Sequence, residues 1–356
     1  MASFYESLPS NDYEKETGTR SGPTYYFTRL RPFALLAYSL LISTILLCVL
    51  LLNAHSRSPV NQECQHPAFR REWRTLNNHE KREYIQSVQC LRDIPSRVGT
   101  KYSLYEDSAL VHSQGSGIRS HSTARFLAWH RYYLHVYEQA LRNDCNYGGS
   151  LPYWDWTKDL QNIYAAPIWG SDDISFGRNG TGDVSPVPGQ IRGSCVTDGP
   201  FANMTLHYLG LKEQEHCFSR GFASENLLHN LTSWLRPQII EKLLLMPRYE
   251  EFNAFLEHYT HLAIPGIIQG DLVTFTSPND PVLFLHHAQL DRLWAIWQQL
   301  TPERMKDYGG PLYRDIPTSE AAAHTSNILH MDGLELNVSV ESILSTRRGR
   351  LCYIYN

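Results

Sequence analysis

Two stretches of sequence decide the fold: HSTARFLAWHRYYL at residues 121–134 and SPNDPVLFLHHAQLDRLW at residues 277–294. Each joins histidines to apolar residues at helical spacing, so each predicts a helix that carries imidazoles into the core. Further histidines precede both stretches, and the result is two groups of three. Three neutral imidazoles per ion suit copper, zinc, iron or nickel and leave a position open for a small ligand. The six candidate metal ligands are His112, His121, His130, His258, His261 and His287.

The spacing of the first group predicts where each of its histidines lies. His112, His121 and His130 are nine residues apart, which is two and a half helical turns, so neighbours would face opposite sides of one helix. Gly115 and Gly117 interrupt the chain between the first two. We therefore expect one histidine near the end of a helix, the next on the connecting loop and the last inside the following helix.

The second group combines a closely spaced pair with a distant third member. His258 and His261 are three residues apart, which places them on one face of an α-helix. His287 lies in the first turns of the next predicted helix, and Asp291 follows one turn later. A carboxylate there can orient a metal-bound imidazole through its second N–H, or it can pair with Arg292 or another cation.

Most of the sixteen histidines have no supporting context and are interpreted as surface or core residues. His286 needs separate treatment because it adjoins His287. Neighbouring residues on a helix point about 100° apart, so we expect only one of these two rings to face a metal.

Composition and charge exclude some classes of function. The chain has 356 residues, 42% of them hydrophobic, which is ample for a packed core. Its net charge of -4, without a cluster of basic residues, disfavours nucleic-acid binding. We expect a disordered cytosolic tail over 1–32, a short stem over 54–63 and one domain over 64–356.

An apolar run separates the predicted tail from the predicted domain. Residues 33–52 contain no charged side chain, and twenty residues at 1.5 Å each span the hydrocarbon core of about 30 Å. Cations precede the run more densely than they follow it. The positive-inside rule then predicts a single-pass anchor over 33–53, with a cytosolic N-terminus and a lumenal domain in the secretory pathway.

Cysteines and sequons agree with an oxidising compartment. Beyond Cys48, which lies in the apolar run, six cysteines form an even set, and up to three disulfides in any of 15 pairings are possible. N-x-S/T sequons predict glycosylation at Asn179, Asn203, Asn230 and Asn337.

Local patterns predict a mainly helical chain with a little β-structure. Helical spacing occurs in residues 71–91, 126–141 and 236–256, the last broken near Met246-Pro247. Another helix begins after Asn279-Asp280-Pro281, where a capping side chain precedes proline. Residues 170–200 are rich in Gly, Ser, Asp and Pro and predict a long loop, and the C-terminal residues alternate like short strands.

The residues around the histidines resemble the two copper signatures of the tyrosinase family, the type-3 copper proteins. FLAWHRYYL and SPNDPVLFLHHAQLDRLW carry the resemblance, and PYWDW (152–156) extends it. The closing LCYIY (351–355) is similar to the tyrosine motif that ends the catalytic core of fungal members. EWRTL, CVTDGPFANMT and HCFSR are similar to fungal tyrosinase-like proteins of secondary-metabolite clusters, including those that make ribosomal peptide toxins such as ustiloxins and phomopsins.

The resemblance implies a four-helix bundle that holds two copper ions and uses dioxygen as co-substrate. From the apolar run we expect one transmembrane helix before this bundle. By position, His112, His121 and His130 match the ligands of the first copper, and His287 matches the third ligand of the second. The implied reaction is hydroxylation of a tyrosine-like phenol, oxidation of a catechol to a quinone, or both. The implied partner is a phenolic small molecule or a tyrosine-containing peptide.

The chain departs from the family pattern at several positions. The family's second-copper pair is usually HxxxH, whereas His258 and His261 are one residue too close, and Glu257 occupies the usual first position. We favour His258 as the ligand and regard Glu257 as a possible base for the phenol. Tyr259 follows where phenol-hydroxylating members often have Asn, and Leu283 stands where many have Phe, which predicts a wider entrance.

Three other functions compete with a phenol monooxygenase. A catechol oxidase has the same metal site, and Tyr259 favours it. An accessory protein without a complete second copper site would explain the irregular histidine pair. An oxygen carrier needs a shielded site, for which the chain has no spare domain. A structural zinc site is disfavoured because such sites are closed by four ligands, often cysteines.

Overall fold

The computed structural model describes residues 40–47, 63–186 and 191–356. The chain separates into a unit of residues 1–58 and a unit of residues 59–356. The described residues of the first unit, 40–47, are helical and form α1. The six candidate histidines lie in the second unit, which the following paragraphs describe.

The prediction of a single-pass membrane protein is wrong. Within residues 40–47, 63–186 and 191–356, no helix has both the length and the apolar composition needed to cross a bilayer. The described part of α1 has eight residues, about 12 Å of helix against a hydrocarbon core of about 30 Å. The rest of the predicted anchor over 33–53, the tail over 1–32 and nearly all of the stem lie outside the described residues.

The second unit is mainly helical, which confirms that part of the sequence prediction, whereas the four-helix arrangement around a metal stays a prediction. A π-helical turn, Leu256–His261, joins two of its helices. The helices are α2 Asn78–Cys90, α3 Leu104–Ser113, α4 Gly115–Ser120, α5 Arg125–Cys145, α6 Glu225–Thr232, α7 Pro237–Leu244, α8 Tyr249–Phe255, α9 Leu262–Ile268 and α10 Val282–Gln299.

Within the described part of the chain, short strands form four two-stranded sheets. The break at Met246-Pro247 falls between α7 and α8 as predicted, and two C-terminal strands are confirmed. The hairpin β3–β4 was not predicted because polar residues dominate its second strand. The strands are β1 Ala68–Arg70, β2 Ser194–Cys195, β3 Thr205–Leu209, β4 Lys212–Cys217, β5 Ser219–Arg220, β6 Ile328–Leu329, β7 Val338–Ser339 and β8 Tyr353–Tyr355, paired β1–β8, β2–β5, β3–β4 and β6–β7.

Helices α5 and α10 pack against each other in the core and carry the two histidine-rich stretches. Both helices are buried around most of their circumference, as expected for central helices. The Asp280 carboxylate accepts the N–H of Val282 at 3.0 Å, which caps the start of α10. At the C-terminal end of α5, Asn146 adopts a left-handed conformation with φ of 55° and closes the last turn.

A buried charge network joins these helices to the C-terminal strand. Asp291 on α10 accepts hydrogen bonds from Arg131 of α5 at 2.5 Å and from the hydroxyls of Tyr353 and Tyr355 at 2.6 Å each. Arg70 on β1 lies 3.5 Å from the same carboxylate. Strand β1 pairs in parallel with β8, which carries both tyrosines. Their hydrogen bonds to Asp291 hold the tyrosine motif against α10.

Three disulfides confirm the prediction from the cysteine count. They join Cys64 to Cys352, Cys90 to Cys145 and Cys195 to Cys217. Disulfides form and persist in oxidising compartments, so they fit a secreted or lumenal protein. The predicted localisation as a membrane-anchored protein with a lumenal domain is wrong, because it depended on the predicted anchor.

The sequons lie at the surface of the second unit. Asn203, Asn230 and Asn337 are exposed. Asn179 is half-buried, and its amide oxygen accepts the N–H of Phe222 at 2.9 Å. Glycosylation at these asparagines stays a prediction.

Candidate metal centre

The first three histidines lie where their spacing predicted. His112 is in the last turn of α3, His121 directly follows α4, and His130 is inside α5. Gly117 makes this arrangement possible, because a Cβ there would lie 2.4 Å from the carbonyl oxygen of His112. The close approach of α4 to the end of α3 turns the middle histidine back toward the other two.

These three imidazoles converge on one point. One ligand atom from each of His112, His121 and His130 lies within 4.8 Å of the others. The ring centroids are 5.0 Å, 5.4 Å and 5.1 Å apart, and the Nε2 atoms of His112 and His130 are separated by 3.2 Å. The arrangement has the size of a mononuclear metal site.

A backbone carbonyl holds each ring by its Nδ1. His112 Nδ1 lies 2.7 Å from the Phe275 carbonyl, and His121 and His130 contact the carbonyls four residues before them at 3.0 Å and 2.8 Å. Because a carbonyl only accepts, each Nδ1 carries the proton and each Nε2 presents a lone pair. Two lone pairs facing each other at 3.2 Å repel unless a cation lies between them, so this donor set fits a metal ion.

His261 and His287 extend the cluster toward a second site. Their ring centroids are 5.1 Å apart, and His287 stacks on His130 of the first group at 4.3 Å. His287 Nε2 is buried and has no hydrogen-bond partner in the described residues. His261 Nδ1 lies 3.3 Å from the carbonyl of Glu257, so Nδ1 carries the proton and Nε2 presents the lone pair.

The structure does not bring His258 into this cluster. Its side chain is exposed, and Nδ1 lies 2.8 Å from the carbonyl of Ala254. The reason is the π-helical turn Leu256–His261, which the sequence analysis did not anticipate. In a turn of ~4.4 residues, side chains three apart diverge by about 115°, whereas in an α-helix they would share a face.

Glu257, one residue earlier, is buried instead. Its Oε1 accepts the N–H of Ser122 at 2.6 Å, and Oε2 is buried without a hydrogen-bond partner in the described residues. Ser122 directly follows His121 and has a left-handed φ of 57°. The carboxylate therefore lies beside the loop that holds the first group of histidines.

His286 is a buried neighbour that sequence reasoning set aside. Its side chain is fully buried, and neither ring nitrogen has a hydrogen-bond partner in the described part of the chain. Its ring centroid lies 5.5 Å from that of His261 in a nearly parallel orientation. The adjacent pair His286-His287 was the available sign of a second buried imidazole. The angle of about 100° between neighbouring residues on a helix argued against His286 as a metal ligand.

Asp291 is used elsewhere. Its two oxygens are engaged by Arg131, Tyr353 and Tyr355, and Arg70 lies nearby. Of the two interpretations left open by the sequence, the structure favours the ion pair, with Arg131 as the closest cation.

Burial controls the protonation of the whole cluster. It lowers the pKa of His112 to about 4 and that of His286 to about 3, and it lowers the pKa values of the other buried imidazoles well below their ordinary range. The same desolvation raises the pKa of Glu257 to about 8. The histidines are therefore neutral and ready to bind a metal at neutral pH.

Two cavities open next to the histidines. One of about 290 Å³ is lined by His112, His121 and His261 and by apolar side chains that include Leu283 and Phe275. A second, of about 430 Å³, shares His121 and is lined by Arg119, Tyr313 and Arg314 among others. Leu283 lies in the wall of the first cavity, at the position where the sequence predicted a wider entrance.

Comparisons with known proteins agree with this geometry. The family described as the common central domain of tyrosinase matches residues 102–300. A tyrosinase-like protein, phomQ1, from Diaporthe leptostromiformis is 41% identical over 85% of this chain and 81% of its own length. The tyrosinase ustQ from Aspergillus flavus is 37% identical over 88% of this chain and 87% of its own.

A solved structure supports the same assignment. The polyphenol oxidase of Thermothelomyces thermophila aligns with a TM-score of 0.68 and 27% identity, covering 90% of this chain and 96% of that one. The haemocyanin of Rapana thomasiana, at 21% identity and a TM-score of 0.53, shares the fold. The chain therefore belongs to the tyrosinase family, the type-3 copper oxidoreductases, whose members bind a binuclear copper centre and use dioxygen.

Proposed function

We propose that this chain is a copper oxidase that acts on a tyrosine-like phenol in fungal secondary metabolism. The observation that carries the proposal is the convergence of five neutral imidazoles, four of them buried and that of His121 half-buried. Their Nδ1 atoms face backbone carbonyls, or their Nε2 atoms have no hydrogen-bond partner in the described residues. His112, His121 and His130 would hold the first copper, and His261 and His287 would contribute to the second. Bound copper would supply the activation of dioxygen.

The protein's own residues provide orientation and exclusion of water. Backbone carbonyls fix the tautomer of each imidazole in the first group, so that the nitrogens that face the metal are set before it binds. Apolar walls around the cavity of about 290 Å³ favour an aromatic ring over a polar substrate. A phenol that enters this cavity would lie against His112, His121 and His261, the three histidines in its lining.

The rim of the cavity supports a substrate larger than a free phenol. Leu262 is 50% exposed and Phe275 is 40% exposed, and both line the cavity. The adjoining cavity, with Arg119 and Arg314, offers further space beside His121. A tyrosine side chain within a peptide fits this layout, because the ring can enter while the flanking backbone lies on the exposed apolar rim. The relatives phomQ1 and ustQ support a role in fungal metabolite synthesis.

Oxidation of catechols alone is the second candidate function. Tyr259 is 43% exposed and packs on Trp234 at 4.5 Å, so it contributes no polar group to the cavity that could position a monophenol. The absence of an Asn side chain at this position supports a function limited to the oxidation of catechols.

Oxygen uptake tests the proposal. The copper-loaded full chain should consume dioxygen with a tyrosine-containing peptide, and more slowly with free tyrosine because the rim contacts are lost. Uptake with catechols but not with monophenols would restrict the function to catechol oxidation. Absence of uptake with all phenols, in a preparation shown to contain copper, would overturn it.

A further inference from the structure

The second copper site lacks a third protein ligand once His258 is placed outside the cluster. Two imidazoles, His261 and His287, remain from the predicted group of three. Two residues that contact His261 have buried polar side-chain atoms without a partner in the described residues: Glu257, at Oε2, and His286, at both ring nitrogens. The structure allows a choice between them.

The π-helical turn aligns Glu257 with His261. Side chains four residues apart in a turn of ~4.4 residues diverge by only about 30°. The two residues therefore share one face, and both are buried while His258 and Tyr259 between them are exposed. The helix thus turns a carboxylate, and not the nearby imidazole, toward the core.

The carboxylate also reaches the first half of the centre. Glu257 Oε1 accepts the N–H of Ser122, the residue after His121, and the rings of His121 and His261 have centroids 6.3 Å apart. Glu257 therefore lies between the loop of the first copper site and the helix of the second.

The second oxygen of this carboxylate has no hydrogen-bond partner among the described residues. The guanidinium of Arg314 instead contacts the carbonyls of Ile118 and His121. An ionised carboxylate buried without a counter-charge is costly. A divalent ion beside Oε2 would supply that charge, and carboxylates do serve as ligands together with imidazole at protein metal sites.

We propose that Glu257 supplies a carboxylate oxygen as the third protein ligand of the second copper, beside His261 and His287. This inference rests on the proposed function, since it assumes that two coppers bind. His286 is the rival, but its ring lies nearly parallel to that of His261, at 14°. Glu257 is preferred because it shares the turn of His261 and its carboxylate accepts the N–H of Ser122, next to His121.

Copper content and electron paramagnetic resonance of the full chain test this assignment. Glu257→Gln keeps an oxygen that can accept the Ser122 N–H but removes the charge, so it separates a ligand from a group that only holds the loop. We expect two coppers per wild-type chain and one in Glu257→Gln, with a signal from an isolated Cu(II). Glu257→His should restore the second copper.

Two matched variants complete the design. His258→Gln changes the adjacent exposed residue and should retain both coppers. His286→Gln should also retain both. Two tightly bound coppers in Glu257→Gln, or loss of one in His286→Gln alone, would overturn the assignment. Fewer than two coppers in the wild-type chain would instead contradict the proposed function on which it rests.

Discussion

The two halves of the histidine centre are built in different ways. The last turn of α3, the residue after α4 and the interior of α5 each contribute one imidazole to the first half, and each ring is held by a backbone carbonyl. The second half depends on one π-helical turn followed by a doubled histidine on α10. The first half is a set of donors of one kind, whereas the second offers imidazoles and a carboxylate. In a regular α-helix, residues three apart share a face, whereas in the π-helical turn they do not.

The largest effect is expected from removing a donor of the first half. His130→Ala deletes one of three converging imidazoles, so copper affinity should fall by more than the ~10–100-fold that loss of an outer-shell partner causes. Oxygen uptake should be lost with it. His135→Ala, on the same helix but absent from the cluster, is the control and should keep both. Copper titration of the two variants measures the difference, and equal affinities would remove His130 from the site.

The network around Asp291 should matter for stability more than for the metal. Asp291→Asn removes the charge that Arg131 and Arg70 share, and breaking a buried ion pair costs about 3–5 kcal/mol. Urea unfolding should show this loss, whereas Asp173→Asn, at an exposed ion pair, should change stability by at most about 1 kcal/mol. If Asp291→Asn kept full stability but lost copper, the carboxylate would belong to the metal centre instead.

Acid should destabilise the metal-free protein through the buried imidazoles. His112 has a pKa of about 4 in the folded chain against an ordinary 6.5, so the unfolded chain takes up its proton first as the pH falls. Stability should therefore decline from pH 6.5 to about 4, by about 1.4 kcal/mol per pH unit for each such group. Glu257 acts in the opposite sense: its pKa is raised from 4.5 to about 8, so its stabilising effect is lost as the pH rises through that range.

Thermal unfolding at a series of pH values, with and without copper, measures this dependence. Bound copper occupies the same nitrogen atoms and should flatten the acid limb until protons displace it. A metal-free protein equally stable at pH 4.5 and 6.5 would mean that the imidazoles are not buried in solution.

The smallest effect is expected at His258. Its ring is exposed and contacts a carbonyl of its own helix, so His258→Ala should leave copper content and oxygen uptake unchanged. A loss of one copper in this variant would mean that the π-turn does not persist in solution.

Sequence reasoning succeeded where α-helical geometry governs and failed where it does not. The positions of His112, His121 and His130 on a helix end, a connection and a helix interior follow from a nine-residue spacing and two glycines. The exclusion of His258 depends on a π-turn, which has no local pattern to reveal it.

Long-range contacts were also beyond the sequence. The choice of one disulfide pattern among many, and the partners of Asp291, depend on which distant segments meet. The apolar run at 33–52 predicted a membrane span from length and hydropathy alone, and the described structure contains no helix that meets both conditions.

The most direct test of the dinuclear centre is the copper content of the full-length chain after reconstitution with excess Cu(II) and removal of unbound metal. We expect two coppers per chain. One copper would mean that the first half binds alone and that the π-turn does not complete a second site. No tightly bound copper would contradict the assignment of the converging imidazoles as ligands.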